Sequence, residues 1–231
     1  MDRSISKILF VSAILSFFGM LLTVEGVEPS SGAAVQSAKA NIVFRWAFGA
    51  RTGPAKLRSL VSISGDTSLK TGDSLKMLLE LKTKCYVYVL HEASNGEFNL
   101  LYPRRTNDFE KMSETGKLQF IPPGDGWFML DQSVGPETFY LLASSERLAG
   151  LEQSLVRLEN AVSSAVEPIA KAVRDEMKSV RKRFKTFATT AERPSTIGGA
   201  VRGGKERALG DIAVEIAANN FYSKTITIDH R

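Results

Sequence analysis

The sequence predicts a mainly β chain with a helical insertion: an antiparallel, immunoglobulin-like β-sandwich carrying a long amphipathic helix or helix pair before its last strand. Three observations predict it. Short runs rich in β-branched and aromatic residues recur between residues 42 and 143, separated by Gly, Pro, Asn and Asp turns. The stretch 148–187 changes to apolar spacings of three and four. A last run, 222–229, returns to alternation at period two. At 231 residues, with 43% hydrophobic and 24% charged residues, the chain is long enough for one domain with a real core plus an appendage.

The first 26 residues read as a secretory signal. Arg3 and Lys7 precede an apolar run over 8–24, broken only by Ser12, Ser16, Gly19 and Thr23, and Val24 and Gly26 suit cleavage after Gly26. The run is long for a signal core and slightly short for a spanning helix, so an inner-membrane anchor formed by 8–24 is the alternative. No cysteine directly follows the run, which excludes lipoprotein processing. Export to the periplasm or medium is the expected localisation. Residues 27–40, small and polar, read as a tether.

The sandwich is expected over 41–147 together with 211–231. Residues 42–48 form the first strand candidate, 57–64 a weaker second, and Leu75, Met77, Leu79 and Leu81 a half-buried third at period two. Residues 85–91 and 97–102 flank Asn95-Gly96, a dipeptide suited to the positive φ of a tight hairpin. In the first of these, Tyr86, Tyr88 and Leu90 face one side and Cys85, Val87 and Val89 the other. Both faces are apolar, which predicts a strand within a sheet covered on each side. Pro103 ends the hairpin because it cannot donate to a ladder. Residues 104–115 form a polar loop plugged by Phe109. Short strands follow at 118–121, 127–130 and 138–143, and 222–229 is expected to pair back into the sheet.

Between these strands, Leu148, Leu151, Leu155, Leu158, Val162 and Val166 continue into Ile169, Val173, Met177, Val180, Phe184 and Phe187. Either one long helix kinks at Pro168 or two helices meet there, and the phase kept across the proline favours the kinked helix. Residues 148–190 are the amphipathic basic segment, and 191–210, with Pro194 and five glycines, read as a flexible return loop.

The turn Gly72-Asp73, the strand Tyr86-Val87-Tyr88-Val89-Leu90, Gly96, and Leu101-Tyr102-Pro103 carry a resemblance, together with Ile121-Pro122, Gly135-Pro136-Glu137 and Leu142-Ala143-Ser144-Ser145. They resemble a bacterial domain-of-unknown-function family over roughly 69–148. The family is found alone in exported proteins and attached to caspase-like peptidase or kinase-like domains. The resemblance implies a small β-sandwich without established catalytic residues, used as an accessory or recognition module. The helical segment departs from the family pattern, and nothing about it carries over.

Chemistry-bearing residues are sparse. Cys85 stands alone, so no intramolecular disulfide forms. It reads as a small buried hydrophobe rather than a nucleophile, which would need an activating base. The stretch from Gly199 to Gly204-Lys205 fits most of a phosphate loop, but Glu206 stands where Ser or Thr would hold magnesium, so no nucleotide cofactor is expected. Asp66, Asp73, Asp125 and Asp131 adjoin turns and read as backbone caps rather than metal ligands. His91 ends a strand and His230 is penultimate; they meet if the C-terminal strand pairs with the hairpin, and no metal spacing accompanies them.

Charge is concentrated in one place. Residues 168–187 hold seven Lys or Arg against Asp175 and Glu176, a net of +5 that equals the whole chain's (30 minus 25). Lys178, Arg181, Lys182, Arg183, Phe184, Lys185 and Phe187 are therefore the candidate contact surface for an anionic membrane or an acidic envelope protein; the alternative is that Phe184 and Phe187 pack on the sandwich and the lysines form a solvated face. Leu151, Leu155, Leu158 and Val162 read as a packing seam, internal or between two copies of the chain. No aromatic-basic nucleic-acid fold is visible. The expected function is a non-catalytic envelope binding module; a hydrolase or small-ligand-binding protein using His91 or His230 is the alternative.

Overall fold

Alternation along the strands decides how the layers stack. The computed structural model describes residues 40–54, 57–111, 114–185, 190–195, 197 and 204–231. The chain divides into residues 1–37 and 38–231, and the description concerns the second unit. The predicted signal at 8–24 and the tether, apart from Ala40, lie outside the described residues, as does Phe187.

The strands are β1 (Ile42–Thr52), β2 (Ser59–Ser62), β3 (Thr67–Leu69), β4 (Ser74–Leu81), β5 (Tyr86–Glu92), β6 (Phe98–Tyr102), β7 (Leu118–Ile121), β8 (Phe128–Met129) and β9 (Gly135–Ser144). Helices α1 (Ala149–Glu159) and α2 (Val166–Phe184) follow, then β10 (Thr190–Pro194), α3 (Gly204–Asp211), β11 (Val214–Ala218) and β12 (Phe221–His230). One sheet runs β10-β11-β1-β4-β7, with β2 on β1 and β8 on β4; the other runs β3-β12-β9-β5-β6. The described pairs are antiparallel except β3 with β12.

The expected α+β sandwich is therefore present. Phe44, Trp46 and Phe48 of β1 and Met77, Leu79 and Leu81 of β4 face Val87 and Val89 of β5, Phe139 and Leu141 of β9 and Ile226 and Ile228 of β12. The opposite face of the second sheet, with Tyr88, Leu90, Leu142 and Phe221, is covered by both helices. A smaller apolar cluster joins Ala47 and Leu78 to Leu209 and Ala213 beside α3. The two-faced apolar character of β5 follows from this sandwiching between a sheet and a helix layer. Each fully buried Leu or Met contributes on the order of 1.5–3 kcal/mol. Cys85 is buried in the central core, and burial pushes its thiol up to about 12, as expected of an inert side chain.

Several details differ from expectation. The helical stretch is two helices, not one kinked helix, broken at 160–165 by a turn and a short 3-10 segment. Pro168 lies in the first turn of α2, where the backbone N–H it lacks has no intrahelical partner anyway, so it opens a helix instead of bending one. The return loop predicted at 191–210 contains β10 and α3, and β11 follows it. Pro194 is tolerated because β10 is a sheet edge. The C-terminal strand pairs back into a sheet as expected, between β9 and β3, and does not border the β5–β6 hairpin. Among the described residues no helix is long and apolar enough to cross a membrane.

Candidate functional site

The inner-facing rows of three neighbouring strands change character at one end of the sandwich. On β5 the row Val87, Val89 ends in His91; on β9 the row Ala143, Leu141, Phe139 ends in Glu137; on β12 the row Ile226, Ile228 ends in His230. The β5–β9 register sets His91 opposite Phe139, and the β9–β12 register sets Ile228 opposite Glu137. Apolar contact with the facing sheet gives way there to a cleft of about 260 Å³. Its floor includes Leu75, Leu101, Phe128, Leu130 and Phe139, and its polar lining adds Ser94, Asn95, Glu97, Asp131 and Ser133.

Within the cleft, His91 Nε2–H donates to Glu137 Oε2 at 2.5 Å, and the imidazole stacks on Phe139 with centroids 4.7 Å apart. Glu137 is buried and His91 half-buried. His230 is 2% exposed; its Nε2 lies 3.0 Å from Thr71 Oγ1, while Nδ1 is a buried atom with no hydrogen-bond partner.

Local backbone geometry holds the walls. Gly135 sits at φ +137°, and a Cβ there would stand 2.6 Å from Ser94 Cβ, so glycine is what lets the 93–97 turn close against the start of β9. The Gly72-Asp73 turn is tied in from the other side: Gly72 N–H donates to Leu130 O, Leu130 N–H to Asp73 O, and Thr71 N–H to Arg231 O. Asp73 Oδ2 accepts from Lys70 N–H, the capping role expected of it, and Asp131 Oδ1 accepts from Ser133 N–H.

Residues 68–147 match the family model Domain of unknown function (DUF4384). That is the stretch that carries the resemblance in the sequence. No curated protein and no solved structure matches. Every residue lining the cleft except His230 lies within the matched stretch, so the family segment builds the site and β12 completes it. The family description carries no activity; in the cleft His91 hydrogen-bonds a carboxylate, and the one hydroxyl on a histidine among the described residues is Thr71 on His230. No cluster of three or more His, Cys, Asp or Glu able to hold a metal occurs among the described residues.

The helix residues predicted as a contact surface divide into groups. Phe184 is not an exposed anchor, because it is buried and stacks on Phe221 at 4.9 Å. Arg181 is half-buried over the Tyr140 ring and donates to Thr225 Oγ1. Lys178 pairs with Asp175, and Arg183 with Glu146; both are exposed, as are Lys182 and Lys185. Phe187 lies outside the described residues. The seam resolves inward: Leu151 and Leu155 are buried against the second sheet, Leu158 is partly buried, and Val162 is 70% exposed. The segment is thus a docked layer, not a protruding arm.

A buried polar clamp fixes that layer. Tyr88 Oη–H donates to Glu152 Oε1 at 2.5 Å and accepts from Leu148 N–H at 3.2 Å, while Arg147 donates to Glu152 Oε2. Burial, and then the Glu152 contact, push the Tyr88 phenol well above its ordinary range.

His91 and His230 stand out in the sequence as candidate site residues, whereas Glu137, directly after Gly135-Pro136, does not. The available signal was the continuation of the alternating row Phe139, Leu141, Ala143 back to a carboxylate.

Proposed function

We propose that the chain is an exported, non-catalytic recognition module of the bacterial envelope whose binding site is the cleft at the end of the sandwich, not the basic helix. The charge-then-apolar layout of residues 3–24 supports export, with anchoring by 8–24 as the alternative. The observation that carries the choice of site is the convergence of His91, Glu137 and His230 on one cleft whose lining is otherwise largely apolar. Polar side chains placed where apolar rows would otherwise continue cost core burial, and a concave apolar floor with a few convergent polar groups is the usual form of a binding site. Against the helix as principal site stands the burial of its apolar stripe, Ala170, Val173, Met177, Val180 and Phe184, within the chain's own core.

Isotope-labelled protein titrated with a mixed set of small amides, amines and carboxylates tests this. Shift changes clustering at His91, Ser94, Asp131 and His230 are the expected result, whatever the chemical class that causes them. Changes confined to the surface around Lys178, Lys182 and Lys185 restore the helix as the recognition element.

A further inference from the structure

Four features of the cleft specify what it takes. Among the described residues its lining holds the carboxylates of Glu97, Asp131 and Glu137 and no Lys or Arg. His230 Nδ1 is buried there without a partner, an unmet hydrogen-bonding demand in a side chain with 2% exposure. The volume, about 260 Å³, lies below the ~300–1,000 Å³ usual for sites that enclose whole small molecules. Two of the chain's exposed large apolar side chains stand beside it: Met129, 68% exposed, lines the cleft, and Val134, 59% exposed, follows the lining residue Ser133.

We infer that the cleft receives an arginine side chain presented by an extended segment of a protein partner. The inference rests on the cleft being the recognition site. The size suits one long side chain. Leu101 and Phe128 cover its methylene stem, and an aromatic face such as that of Phe128 also attracts a guanidinium. The head has several acceptors in the lining to satisfy at once, the carboxylates of Glu137, Asp131 and Glu97. A planar guanidinium with five fixed donors serves such a set better than an ammonium, and a carboxylate head would meet like charge. The residues flanking the arginine lie on Met129 and Val134, which is why the source is a peptide segment and not a free amine.

The test uses the tripeptide Ac-Val-Arg-Val-NH₂ with three comparators: Ac-Val-Glu-Val-NH₂, Ac-Val-Leu-Val-NH₂ and free arginine amide, each titrated into labelled protein. The expected result is that the arginine tripeptide shifts His91, Ser94 and His230 and binds about tenfold or more tightly than its glutamate counterpart and than arginine amide. Asp131→Asn, at an exposed position, and Glu137→Gln each weaken it several-fold; Met129→Ser weakens the tripeptide but not arginine amide. Equal affinity for arginine amide and tripeptide overturns the peptide source. Preference for the leucine or glutamate tripeptide at the same resonances overturns the arginine assignment while leaving the cleft as the site. No response to any of the four overturns the inference, and the mixed-probe titration then decides whether the cleft itself survives.

Discussion

Tyr88→Phe isolates the polar clamp between the helix layer and the second sheet. The hydroxyl donates to Glu152, which is 3% exposed and lies in the first turn of α1, and accepts from the N–H of Leu148, the residue that caps that helix. Its removal costs a hydrogen bond to a charged group, about 1.5–3 kcal/mol, and leaves a buried backbone N–H without a partner, about 1–3 kcal/mol. Glu152 keeps Arg147, so the loss is placed near the lower half of that sum, about 3 kcal/mol. With a urea m-value of about 2 kcal/mol/M, the unfolding midpoint falls by about 1.5 M with m unchanged. Adding Glu152→Leu to Tyr88→Phe removes both ends of the bond and the buried charge. The double variant is therefore less destabilised than the sum of the singles, by about 1 kcal/mol or more. Urea denaturation of the four proteins measures this cycle. A single-variant loss below about 1 kcal/mol, or strict additivity, would refute the clamp as the reason the helices lie where they do.

Gly135→Ala forces a Cβ into contact with Ser94 at a backbone φ of +137°. A loss of about 2 kcal/mol in thermal unfolding is expected, partly recovered by Ser94→Gly; an unchanged melting temperature would mean that the 93–97 turn moves aside freely. Stability is expected to fall in strongly alkaline solution. Tyr88 and Tyr222 have phenols raised by burial first and then by Glu152 and Glu192. Their folded state favours the neutral form, so this contribution is whole below the ordinary phenol value of about 10 and is lost as pH rises towards the folded values. Each group adds about 1.4 kcal/mol per pH unit to the slope above that point, and Tyr222→Phe removes one such increment in urea midpoints measured from pH 9 to 11.5.

Residues with a repeating reason to face inward were legible. The alternation at Leu75 to Leu81, the doubly apolar run around Tyr88 and the β-branched run at Thr225–Ile228 all lie in strands, although β4 is buried on both faces and not half-buried, Lys76 and Leu78 being covered as well. β10 and β11 were not legible. Thr190–Pro194 is an exposed edge with little to bury, and Val214–Ala218 is too short to show a period. The phase across Pro168 misled because apolar spacing is set by the surface a helix covers, and two helices lying on one sheet keep it. For the site, His91 and His230 were conspicuous as the chain's two histidines, but their partners were not. Glu137 follows a Gly-Pro pair that reads as a turn, and the unmet Nδ1 of His230 exists only once β12 has joined β9.

The position of β12 bears on how the molecule comes into being. It lies inside its sheet between β3 and β9, yet it follows the whole helical segment in the chain. A polypeptide growing from its N-terminus lays down β9 early and leaves that strand's edge open until β12 emerges. Pairings that distant in sequence form slowly, and an open edge in the meantime invites strands of other molecules. α1 and α2 appear during that interval, and their apolar stripes settle on the same sheet's outer face. Covering a face leaves the β9 edge itself open, so only β12 closes it, and the cleft, which takes His230 from that strand, is complete only once β12 has paired.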